Sequence, residues 1–325
     1  MTQFKPSRRD LLKVSAMAPA LALTATAPRA QLAGPVAGDN PSHFSFAIGD
    51  AQLTVISDGF MTTPVSGLGI NVAPEEVQAF MDSYFLSTTE SISHTNHLYI
   101  EIGDARILVD VGSGNRFMPT TGRLMANLDA AGIDPAGITH VIITHAHPDH
   151  IWGIRDDFDE AIFPDAEYII GQVEHDFWLQ DGLAASSPAE MQQFVVGAVN
   201  SLQVDGADWT LAADGDEVVP GVRLIATPGH TAGHMAVHIE SNGQQLIALG
   251  DAMNHAYMNF AHPDWYNGFD MDGAQTVATR KGLLDRAAED RITVMAYHFP
   301  FPGVGHVMRE GEAYRFIPAL WRFKG

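Results

Sequence analysis

Four residues able to ligate a metal fall within six positions of this chain: His145, His147, Asp149 and His150, in the stretch Thr144-His145-Ala146-His147-Pro148-Asp149-His150. A lone histidine in a loop is usually a hydrogen-bonded residue, but imidazole and carboxylate groups at this density, with more His and Asp at strand ends downstream, point to metal binding. On an extended backbone His145 and His147 project to the same side, while the turn at Pro148 brings Asp149 and His150 round from another direction. One short loop can therefore feed two adjacent ions, and metal-assisted hydrolysis is the chemistry such a loop favours.

The elements that must position these groups are written as apolar runs. Val141-Ile142-Ile143 reads as a buried strand opening directly into the histidine loop. Three further runs end in ligand-type residues: Val222 to Ala226 before Gly229-His230, Gln245 to Leu249 before Gly250-Asp251, and Ile292 to Tyr297 before His298. Hairpins are expected where Phe44–Ile48 and Gln52–Ile56 flank Gly49-Asp50, and where His97–Ile102 and Ala105–Val111 flank Gly103-Asp104. A helix is expected from Thr120 to Ala131, with Leu124 and Leu128 on one face and Gly132 as its stop. These elements fit one α/β (α+β) domain of two facing sheets covered by helices.

The histidine loop resembles the HxHxDH signature of the metallo-β-lactamase superfamily of hydrolases, whose αββα sandwich gathers ligands at one edge of its sheets. The resemblance implies His145, His147 and His230 on one metal, Asp149, His150 and His298 on the other, and Asp251 bridging both, with Asp149 and Asp251 taking catalytic parts. Two ions about 3.5 to 4 Å apart would share a water whose pKa falls toward ~7, giving a bridging hydroxide as nucleophile. The nitrogen- and oxygen-rich donor set suits Zn2+ best, although manganese, iron or cobalt can occupy such sites. The β-lactamases that use only histidine and aspartate lack the bridging carboxylate, so Asp251 argues against antibiotic hydrolysis.

Within the superfamily the chain resembles the methyl parathion hydrolase and lactonase-like families. That likeness is carried by Asp58-Gly59, Val109-Asp110-Val111-Gly112, Thr121-Gly122-Arg123-Leu124, Asp176-Phe177-Trp178-Leu179, Phe301-Pro302-Gly303-Val304-Gly305-His306 and Tyr314-Arg315-Phe316-Ile317-Pro318. It implies hydrolysis of small lactones or aryl esters, with phosphotriesters as further substrates. Matching positions place Phe117, Trp178 and Phe194 as an apolar wall of the pocket, and Tyr257 as a residue that could polarise a carbonyl. Relatives read Gly-Gly after the loop where this chain has Ile151-Trp152-Gly153, so Trp152 either narrows the pocket or packs beneath the loop. His94 and His97 read as hydrogen-bonded residues and His234 as the start of a strand, none of them a ligand, with His306, Asp110 and Thr144 as candidates to orient the ligands. The competing class is a redox or sulfur-handling superfamily member of the persulfide dioxygenase or alkylsulfatase type; a flavin-linked oxygen reductase is disfavoured because no flavodoxin-like segment follows the core.

Compartment is read from the N-terminus. Ser7-Arg8-Arg9-Asp10-Leu11-Leu12-Lys13 ahead of the apolar run Val14–Ala27 resembles a twin-arginine export signal, with an A-x-A site at Ala25-Thr26-Ala27 and an alternative cut near Ala30 or Ala33. The expected organisation is a signal over 1–30, an extension over 31–43 and a hydrolase domain over 44–325, giving a periplasmic enzyme. The chain has no cysteine, so packing and metal rather than disulfides must hold the fold there. Losing residues 1–30 removes five bases (Lys5, Arg8, Arg9, Lys13, Arg29) and one acid (Asp10), making the formal charge of −21 four units more negative. Such a surface repels phosphate backbones, so nucleic acid is excluded as a partner. The expected partners are a small neutral substrate and the twin-arginine machinery, without a stable membrane anchor; a homodimer is left open.

Overall fold

The computed structural model describes residues 40–321, so the expected export signal lies outside the described residues. The first sheet runs in sequence order through β1 (His43–Ile48), β2 (Ala51–Pro64), β3 (Glu90–Ile102), β4 (Ala105–Val109), β5 (His140–Ile143), β6 (Glu167–Gly171) and β7 (Trp209–Ala212). Its first four strands pair antiparallel, and β4 to β7 pair parallel. The second sheet holds β8 (Glu217–Val219), β9 (Val222–Ala226), β10 (Met235–Ser241), β11 (Gln244–Ala248), β12 (Thr293–Met295), β13 (Val304–Glu310) and β14 (Ala313–Pro318). Within it β11 and β12 pair parallel. Both expected hairpins form, with Ile48 opposite Ala51 and Ile102 opposite Ala105.

The helices are α1 (Pro74–Ser83), α2 (Leu124–Ala130), α3 (Pro148–Ile151), α4 (Gln172–Trp178), α5 (Leu183–Ser186), α6 (Ala189–Leu202), α7 (Met258–Ala261) and α8 (Gly273–Glu289). Alternation along each strand shows how the layers form. Ile107, Val109, Ile142 and Ile169 face the second sheet's Leu224, Val237, Leu246 and Met295. Their neighbours Leu108, Val141, Ile143, Tyr168 and Ile170 face outward onto Leu124 and Leu128 of α2, Trp178 of α4 and Val195 and Leu202 of α6. On the far side Ala236, Ile247 and Val294 pack against Phe260 of α7 and Leu283, Leu284 and Ala287 of α8. Both faces of each sheet are thus covered, which is why the strands read as continuous apolar runs rather than alternating ones. Each such side chain fully buried contributes about 1.5–3 kcal/mol.

β2 runs on to Pro64 and β3 begins at Glu90, both well beyond the runs read in the sequence, and two further boundaries differ for a visible reason. α2 begins at Leu124 rather than Thr120 because buried Asp58 accepts hydrogen bonds from the Gly122 (3.0 Å) and Leu124 (2.7 Å) amides, capping the helix there. β4 stops at Val109 because Asp110 adopts φ 61°, a left-handed conformation that turns the chain out of the sheet.

Candidate metal centre

The ligand-type residues lie where strands open into loops. β5 delivers His145 and His147 on the extended segment before α3, and Pro148 at the first position of α3 brings round Asp149 and His150. His230 sits in the β9–β10 connection, Asp251 in a short 3-10 turn (Gly250–Ala252) after β11, and His298 in the loop after β12. Their ligating atoms form three overlapping groups: His145, His147 and His230; His145, His150 and Asp251; Asp149, His150 and His298. Within each group the atoms lie within 4.8 Å of one another.

Asp251 stands between them. One of its oxygens is 2.9 Å from His298 Nε2 and 3.4 Å from His230 Nε2, and the other is 3.3 Å from His150 Nε2. Asp149 Oδ2 is 3.4 Å from both His150 Nε2 and His298 Nε2. Among the described residues His145 Nε2, His150 Nε2, Asp149 Oδ2 and Asp251 Oδ1 are buried without a hydrogen-bond partner. An orphaned buried polar atom costs about 1–3 kcal/mol, so four of them within one cluster of overlapping ligand groups fit cations. The donor set, all nitrogen and carboxylate oxygen, is that of a divalent metal site.

The outer face of each ring fixes which nitrogen looks inward. His150 donates Nδ1–H to Asp110 (2.8 Å), His298 to the His94 carbonyl (2.8 Å) and His230 to Asp270 (2.9 Å), leaving each Nε2 for the centre. Asp110 also accepts from the Thr144 amide and hydroxyl, as expected for these two residues. His234 binds the main chain instead of the centre: its Nε2 accepts the Asp251 amide at 3.0 Å, and a Cβ on Gly250 would come within 2.5 Å of that nitrogen. Only glycine permits this approach, at φ 51°.

Charge is partitioned within the cluster. Burial, together with the neighbouring histidines, holds His145 and His147 well below the usual imidazole range. Burial also opposes protonation of His150, but the Asp149, Asp251 and Asp110 carboxylates outweigh it and hold that imidazole well above its ordinary value. His298 is raised in the same way, against burial, chiefly by Asp251. Against burial, His150 brings Asp149 down to about 2, and His298 and His150 hold Asp251 well below the carboxylate range.

The sequence family described as the metallo-beta-lactamase superfamily matches residues 93–274. The chain belongs to that superfamily. Similar superfamily proteins include a probable metallo-hydrolase of Mycobacterium bovis, 28% identical over 184 residues (49% of this chain, 56% of the relative). An N-acyl homoserine lactonase of Bacillus thuringiensis is 26% identical over 201 residues, 62% of this chain and 68% of the relative. The chain thus spans little more than half the length of the first of these. Among solved structures, AidC, a dizinc quorum-quenching lactonase, superposes with a TM-score of 0.81 at 25% identity, covering 87% of this chain and 99% of that one. The hydrolase AbOPH superposes equally well, at 0.81 and 27% identity over 88% and 100% of the two chains.

Superfamily membership sets the frame for the aromatic residues. Phe117, Trp152 and Phe194 form one half-buried group, with ring centroids 5.7 to 6.3 Å apart. Of the two readings of Trp152 the structure shows packing: the indole lies on α6 at Gly197, where a Cβ would sit 2.2 Å from its ring. Trp178 corrects the expectation. It is 1% exposed, its indole N–H donates to Glu174 at 2.6 Å, and its ring meets His147 edge-on at 5.9 Å, so it backs a ligand and offers no face to a substrate. Tyr257 is half-exposed and its ring lies 5.2 Å from that of Tyr84. Asp270 and Glu174 carry no legible signal in the sequence: Glu174 stands beside His175 and Asp176, and Asp270 two residues from Asp272, with nothing in the spacing to say which acid turns inward.

Proposed function

We propose that this chain is a dinuclear metal-dependent hydrolase, exported by the twin-arginine route, that opens small lactones or aryl esters and takes phosphotriesters as secondary substrates. One observation carries the reading: seven nitrogen and oxygen donors form three overlapping groups that share His145 and His150, with Asp251 against His150, His230 and His298 and four buried ligand atoms left for cations to satisfy. The lactonase names of its relatives support the substrate class.

Two divalent ions, zinc by donor type, would supply Lewis acidity toward a carbonyl or phosphoryl oxygen and acidify water at neutral pH. His145, His147 and His230 would hold one, Asp149, His150 and His298 the other, and Asp251 both. The chain's own work is orientation. Asp110, Asp270 and the His94 carbonyl fix the tautomers of His150, His230 and His298. Against burial, His150 holds the Asp149 carboxyl down to about 2 without metal, and as a ligand Asp149 would bring negative charge to the cation. Phe117 and Phe194 would offer an apolar surface to an aryl or acyl group, backed by Trp152, while Thr144 and Asp110 keep the loop rigid beneath the reaction.

The test is metal analysis of the purified protein alongside lactone, aryl ester and phosphotriester substrates. Two ions per chain are expected, with lactone or ester turnover lost to a chelator and restored by zinc. One ion at full loading, or turnover confined to persulfides or alkyl sulfates, would overturn the reading.

A further inference from the structure

Behind the centre, α4 carries a fully buried carboxylate, Glu174. Its Oε1 accepts the Ala146 amide at 3.0 Å and the Trp178 indole at 2.6 Å. Its Oε2 accepts the Thr231 hydroxyl at 2.7 Å and the Gly233 amide at 2.9 Å. Ala146 lies between His145 and His147, Thr231 follows His230, and Gly233 precedes His234, which holds the Asp251 amide. One side chain therefore ties together the two loops that carry His145, His147 and His230. The approach is close enough that a Cβ on Gly233 would meet the Glu174 amide nitrogen at 2.0 Å.

We propose that Glu174 is a positioning residue of the metal centre, holding the two histidine loops in the geometry that receives the cation and supplying a buried negative charge that a cation offsets. All four of its hydrogen-bond donors are neutral, and an ionised carboxylate accepting from neutral groups alone is costly in a buried place unless positive charge lies near. The cluster beside His147 and His230 is where that charge would arrive. The inference rests on the metal-centre reading but not on the identity of the substrate.

The test is titration of the metal-free full chain with Co2+, following its d–d absorption and competition with a chelator. Glu174→Gln keeps the shape but turns one oxygen into a donor facing donors, and should weaken Co2+ binding by about 10–100-fold and alter the d–d bands. Should that variant fail to fold, Thr231→Val removes one of the four links and should weaken binding less, with the same spectral change. Wild-type Co2+ affinity and spectrum in the folded variant, accompanied only by a lower Tm, would make Glu174 merely structural and overturn the proposal. Failure of the wild-type chain itself to bind Co2+ would overturn this proposal and the metal centre together, so the two failures are distinguishable.

Discussion

At the scale of single residues, Asp251 reaches three of the candidate ligands, with its oxygens 2.9 to 3.4 Å from His150, His230 and His298. Asp251→Ala removes all three contacts, and activity on any substrate should fall by at least about 100-fold, because in the proposed dinuclear centre both water activation and ion spacing would depend on this carboxylate. A near-normal rate would show that the bridging role belongs elsewhere. Protons compete with metal at the same residues. His150 and His298 are held above the ordinary imidazole value without ions, so loading must displace their protons, and raising the pH favours it. Apparent zinc affinity should rise between about pH 6 and 8 with protons released on binding, measurable by calorimetry in two buffers of different ionisation heat; binding without proton release would contradict the charge partition. His145, His147, Asp149 and His150 were legible because they are close in sequence. Asp270, 40 residues from His230, and Glu174, 57 from Thr231, act through space and leave no spacing to read.

At the scale of elements, strands were legible wherever both faces are buried, since Val141 to Ile143 and Leu246 to Ala248 are apolar throughout. The start of α2 was not, because a distant carboxylate, Asp58, sets it. The same contrast governs Trp152, whose neighbour on α6 is visible only in the fold. The indole lies where Gly197 leaves room for it, so the loop after His150 and α6 pack as one unit. Trp152→Gly should open a cavity there and lower stability by about 2–4 kcal/mol, less than a fully buried tryptophan would cost because the ring is half exposed. Thermal unfolding should show the loss, with kcat/KM falling similarly for small lactones and bulky phosphotriesters. A selective gain on the bulky substrates with unchanged Tm would instead make Trp152 a gate to the pocket.

At the scale of the whole molecule, the paired arginines give an export prediction independent of the fold: changing Arg8 and Arg9 together to Lys should leave the protein in the cytoplasm with its signal uncut. Unchanged periplasmic delivery in a fractionation experiment would point to another route. In the folded domain, acid should act first through buried neutral histidines. His255 is almost fully enclosed, its Nδ1 accepts the Tyr257 and Met258 amides, and burial lowers its pKa from 6.5 to about 4. Between these values the unfolded chain binds a proton that the folded one refuses, so stability falls as pH drops through 6.5 and the loss is complete near 4. The cost is about 3 kcal/mol at most. Carboxylates held low, such as Asp149 near 2, act only below this window. His150 and His298, raised without metal, work in the opposite direction, so the comparison needs a variant that isolates His255. His255→Gln keeps an acceptor for the two amides and removes the titration. Urea unfolding of both proteins at pH 7, 6 and 5 should show the wild type losing stability relative to the variant as pH falls. Parallel curves would show that His255 takes up its proton in the folded state and that acid sensitivity arises elsewhere.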